Sequence, residues 1–105
     1  MKAPQNHLQP IPREFTMQDT YGVYYYPLPG HKSIRMYVRE NQEVVEFRLH
    51  NDKDPQLWAE HGWLSYEAVR QAAEMYNRRN GNDPLRLYDF DVALHALGEA
   101  KRNEA

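Results

Sequence analysis

The sequence predicts an α+β fold. Residues 33–39 (SIRMYVR) and 43–50 (EVVEFRLH) alternate apolar and polar side chains, the period of a strand with one face in a core. Residues 65–80 instead carry Val69, Ala72, Ala73 and Tyr76 at helical spacing. A third strand is expected at residues 21–26, where YGVYYY is rich in a good strand former. The connectors PLPGHK and ENQE are short, so the simplest topology is a three-stranded antiparallel meander.

The helices follow from local chemistry. Asp54 before Pro55 reads as an N-cap with proline at the first helical position, giving a short bridging helix over residues 55–61 with Leu57 and Trp58. Ser65 is the expected N-cap of the main helix, Arg78 and Arg79 suit its last turn, and Gly81 ends it. Leu85 and Leu87 suggest a short fourth strand or extended segment. Asp89 caps a C-terminal helix with Phe90, Ala93, Leu94 and Leu97 on one face, weakening at Gly98. The expected packing puts one sheet face against the helix of residues 65–80. Residues 1–18, with three prolines, read as a flexible arm on which Ile11, Phe15 and Met17 are candidates to dock. Residues 19–100 read as one domain and 101–105 as a frayed tail.

Composition bounds the function. The chain has 105 residues, a net charge of −2 and no cysteine. The charge argues against coating duplex DNA through a basic excess. The lack of cysteine rules out disulfides, thiolate metal sites and a thiol nucleophile. No apolar run approaches the ~18 residues of a membrane span, and the first residues lack an apolar signal core. The expectation is a soluble, cytoplasmic protein without membrane association.

The second face of the sheet raises the functional question. Aligning Ile34 with Leu49, Met36 with Phe47 and Val38 with Val45 puts all six on the core side. Pairing Tyr25 with Ile34 and Val23 with Met36 adds Tyr21, Val23 and Tyr25 to that core and sets Gly22 beside Tyr37. The outer face then carries Tyr24, Tyr26, Arg35, Tyr37, Arg39, Val44, Glu46, Arg48 and His50. In this register Arg35 opposes Arg48, an unfavourable like-charge pair that an anionic, flat ligand would relieve. The bland alternatives are a solvated face, or cover by the last helix, the arm or a second subunit.

Other chemistry is weakly signalled. Five histidines form no zinc-binding pair on one helix, and HNDKD lacks the glycine and distal glutamate of a calcium loop. No phosphate loop or nucleophile elbow is present. Trp58 and Trp63 read as seals between sheet and helix rather than partner anchors. The helix of residues 65–80 offers Arg70 and Gln71 to a major groove, but Glu67 and Glu74 would face the same backbone. The resulting expectation is a non-enzymatic binding or interaction module without cofactor or metal. Its binding residues are Tyr24, Tyr26, Arg35, Tyr37, Arg39, Arg48 and His50. A protein partner or self-association comes first, and single-stranded nucleic acid on the same face is the alternative.

Overall fold

The computed structural model describes the backbone of residues 17–80 and 84–104, and among these the chain is an α+β domain built on an antiparallel sheet. The element order is β1 (Gln18–Asp19), β2 (Gly22–Tyr25), β3 (Ile34–Asn41), β4 (Val44–Asn51), α1 (Gln56–Glu60), β5 (Leu64–Ser65), α2 (Tyr66–Asn80), a 3-10 turn (Pro84–Leu87) and α3 (Phe90–Glu104). The sheet runs β1-β2-β3-β4-β5, each strand antiparallel to the next. The meander is therefore as expected, but two strands of two residues each extend it, one at either edge. The expected fourth strand at Leu85 and Leu87 is a 3-10 turn instead, opened by Pro84, whose fixed φ suits a first helical turn.

Both registers differ from expectation by two residues. Met36 pairs with Leu49, Val38 with Phe47 and Glu40 with Val45. Val23 pairs with Val38, Tyr24 with Tyr37 and Tyr25 with Met36. A two-residue slip keeps every side chain on its face, so the alternation cannot detect it. The β3–β4 turn decides the register: Gln42 and Glu43 take φ of 53° and 69°, left-handed at both central positions as in a type I′ hairpin. The observed register also replaces Arg35 opposite Arg48 by Arg35 opposite His50, and sets Arg39 opposite Glu46.

The core side holds Val23, Tyr25, Met36, Val38, Val45 and Phe47, with Leu49 packed against them. The helix laid across them is α3, not the expected 65–80 helix. Ala93 and Ala100 are buried there, with Phe90, Ala96 and Leu97 packed alongside. Small residues let the helix backbone approach the sheet, while Leu94, expected on this face, is 47% exposed. The helix runs through residues 101–104, where Lys101 pairs with Glu40 at 3.2 Å. α2 buries Val69 and Ala73.

Caps follow the sequence where they are local. Ser65 Oγ accepts from the Ala68 amide at 3.1 Å, and Asp89 Oδ1 from the Val92 amide at 3.1 Å. Asp54 differs: α1 begins after Pro55 with no side-chain cap, and the Asp54 carbonyl accepts the Leu57 amide. The stop at Gly81 and any docking of Ile11 and Phe15 lie outside the described residues. Of the expected arm, Gln18 belongs to β1, and the Met17 carbonyl accepts the Tyr24 amide at 3.0 Å.

Tyr25 ties α3 to the sheet. Its hydroxyl donates to the Leu87 carbonyl at 2.6 Å and accepts from the Asp89 amide at 2.9 Å, just before α3 begins. Burial pushes this phenol up to about 12 from its ordinary value of 10.0. The fold thus favours the neutral ring. Its contribution is whole below pH 10.0, and it falls away as pH rises toward about 12. Denaturation midpoints measured from pH 8 upward should fall less steeply in this alkaline range for Tyr25→Phe than for the parent. Separately, Gln42→Asn with Glu43→Gly should relieve the left-handed turn, stabilising the fold by about 1 kcal/mol and raising the melting temperature by about 4–8 °C.

Candidate functional site: an aromatic and arginine-bearing sheet face

The outer face is covered by its own chain. Tyr37, at the centre of β3, is 0% exposed. Tyr24 packs beside it at 5.3 Å between ring centroids, Trp58 at 5.2 Å, Tyr21 at 5.7 Å and His50 at 6.2 Å. Tyr21, expected in the main core, lies in the two-residue turn between β1 and β2 and sets its ring on this face. The turn is held by Asp19, whose Oδ1 accepts from the Tyr21 amide at 2.8 Å while Oδ2 accepts from the Tyr37 hydroxyl at 2.6 Å. Gly22 follows with φ of 130°, a backbone conformation that favours glycine. Burial and the bond to Asp19 together push the Tyr37 phenol up.

The cations on this face are held by partners. Arg35 Nη2 donates to Asp52 Oδ1 at 2.9 Å and contacts His50 Nδ1 at 3.3 Å. The same His50 nitrogen lies 3.4 Å from Asp52 Oδ1. Arg39 Nε donates to Glu46 Oε1 at 2.6 Å, and its guanidinium lies 4.4 Å from the centroid of Trp63. Arg48 reaches the end of α1, where its Nη2 donates to the Trp58 carbonyl and its Nε to the His61 carbonyl at 3.0 Å. Its guanidinium also stacks 3.8 Å from the Trp58 ring centroid. The last carbonyls of a helix lack partners within it, and Arg48 supplies them.

The seven expected binding residues therefore share one face but do not form one exposed surface. Tyr37 is its buried floor and His50 is buried beside it, while Arg48 is a bracket for α1. Tyr24 and Tyr26 are half-buried, their rings edge-to-face at 5.6 Å. Arg35 and Arg39 reach the rim. The face also includes Asp19, Tyr21, Trp58 and Trp63, none of which the strand pattern assigns to it. A signal for the first two exists in DTYG, where an aspartate two residues before a tyrosine and a following glycine mark a turn. Trp58 and Trp63 have no comparable signal, because α1 folds back over the sheet through Arg48.

At the corner where β2 gives way to the β1–β2 turn, a groove of about 590 Å³ opens across Gly22. Tyr21, Trp58, Trp63 and Arg39 line it from the outer face, and Leu97, Ala100 and Lys101 from the α3 side. Tyr21 is 50% exposed. The Trp58 ring lies 5.0 Å from that of Tyr21 and 6.1 Å from that of Trp63. Charges on both sides are paired, Arg39 with Glu46 and Lys101 with Glu40. Among the described residues no group of three or more histidine and acidic side chains is placed to hold a metal, and no helix is long and apolar enough to cross a membrane.

Comparison with known protein families, curated proteins and solved structures finds no match to this chain.

Arg48 generates a direct test. Arg48→Met keeps an apolar stem over Trp58 but removes both bonds to α1. It should destabilise the fold by about 2 kcal/mol in chemical denaturation, with a shift in the tryptophan emission of the native state. Arg48→Lys should recover only part of this, since an ammonium cannot reproduce the planar fork.

Proposed function

We propose that the protein is a non-enzymatic interaction module that takes a protein segment at the rim of its aromatic and arginine-bearing face. The groove beside Gly22 carries this reading. Three neighbouring rings, Tyr21, Trp58 and Trp63, line an open depression whose charged residues are already paired. Aromatic rings give large contact area at little entropic cost, and tryptophan and tyrosine are favoured anchors in protein interfaces. Paired cations have less to gain from a polyanion than free ones, which favours a largely uncharged protein segment over single-stranded nucleic acid on this face.

A displayed peptide library selected against the full-length protein tests the proposal. Enriched peptides are expected to bind at least tenfold more weakly to Tyr21→Ala and Trp63→Ala variants, with weak dependence on salt. Failure to enrich any sequence, or peptides indifferent to both substitutions, would overturn it. A parallel amide NMR titration with mixed-sequence single-stranded DNA and RNA should leave Tyr24, Arg35 and Arg39 unshifted. Salt-sensitive shifts at those residues would instead establish the nucleic-acid reading.

A further inference from the structure

The groove lies next to where the proline-bearing segment joins the domain. Gln18 lines it, and Met17 marks the start of the described chain. Five residues upstream of Met17 stands Pro12, in the run Gln9-Pro10-Ile11-Pro12. We propose that this groove is the docking site of the chain's own segment 4–15, with Pro10, Ile11 and Pro12 against Tyr21, Trp58 and Trp63. The inference rests on the reading of the groove as the working surface, and it adds a regulator to it: the tethered segment competes with any external one.

Three observations converge on this occupant. The first is reach. An extended chain covers roughly 3.3 Å per residue, so the five residues from Pro12 to Met17 span about 16 Å, enough to turn back to a groove that begins beside Gln18. The second is chemistry. Proline fixes its own φ, so a proline-bearing segment loses little entropy on docking, and aromatic-lined grooves are the usual receptors for such segments. The third is charge. The run from Gln9 to Pro12 is uncharged, and the groove's charges are internally paired, so neither side loses an ion pair on contact. Tethering strengthens all three, because a short linker holds the segment at an effective concentration on the order of millimolar. A contact too weak to form between free partners is then populated.

The test uses the full chain and a variant carrying Pro10→Ser, Ile11→Ser and Pro12→Ser, with circular dichroism to confirm that both are folded. The probes are the indole N–H resonances of Trp58 and Trp63 and a synthetic peptide spanning residues 4–15. Both indole signals are expected to move in the variant. The added peptide is expected to return them toward their parental positions in a saturable way, binding the variant roughly tenfold more tightly than the parent, whose groove is already contested. Indole positions in the parent that change with protein concentration would instead mean that a second copy reaches the groove, and would overturn the tethered occupant. Unmoved indoles in the variant, with no response to millimolar peptide, would overturn the proposal. So would equal binding of an unrelated proline-rich peptide to both proteins, which would leave the groove to external partners. Library-selected peptides that bind while the variant's indoles stay unmoved would reject the tethered occupant alone. Displacement of the segment without any selected external ligand would reject the interaction module and leave the docking intact.

Discussion

The outer half of the domain depends on the burial of Tyr37. A tyrosine at the centre of a strand can bury its ring on a sheet face only if something lies over the ring and something receives the hydroxyl. Asp19 receives the hydroxyl, and the same carboxylate shapes the turn that delivers Tyr21 to the ring's edge. Trp58 lies over it from the other side, held there because Arg48 grips the carbonyls at the end of α1. The first hairpin and the short helix are thus coupled through one side chain that neither contains. A ring buried on the second face needs cover there as well, and here the chain supplies it with one turn and one short helix.

The two faces solve the same problem with different chemistry. On the core side, aliphatic residues meet a helix whose alanines allow close approach, and Tyr25 fixes where that helix starts. On the outer side, rings and guanidinium groups stack, and each arginine has an acidic or carbonyl partner. Cation–ring stacking lets a charged side chain cover aromatic surface while its nitrogens remain at the edge of solvent. The result is a face rich in arginine whose charges are largely answered from within. At the rim, Tyr21 and Arg39 are exposed and Trp63 is half-buried around the backbone of Gly22.

What the sequence shows and what it hides divides by distance along the chain. The strand faces were legible in the alternation of Met36 and Val38 against Arg35, Tyr37 and Arg39. The caps Ser65 and Asp89 were legible because each acts on an amide three residues away. Register was not, because a shift of two leaves each face intact. The turn that decides it uses Gln42 and Glu43, which carry none of the asparagine or glycine signature of such hairpins. Nor could periodicity say which helix covers the sheet. Both helices have an apolar stripe, and the choice of α3 is tied to the Tyr25 contacts, which join residues more than sixty positions apart. At the candidate site, the arginines and tyrosines of β2, β3 and β4 were visible as one face. Their burial was not, because the residues that cover them come from a turn and a short helix with no period of their own.

The edges of the sheet have a further consequence. β1 and β5 are each two residues long, whereas β3 and β4 are eight. A long bare edge offers a row of unpaired amides and carbonyls to any other extended chain, and proteins with such edges tend to stack into fibrils. Here β5 pairs with only Glu46 and Phe47 of β4, and β1 with only Gly22 and Val23 of β2, so neither outermost strand offers more than a two-residue edge. The sheet thus ends on strands too short to pair far with another extended chain, a device that natural sheets use against edge-to-edge association.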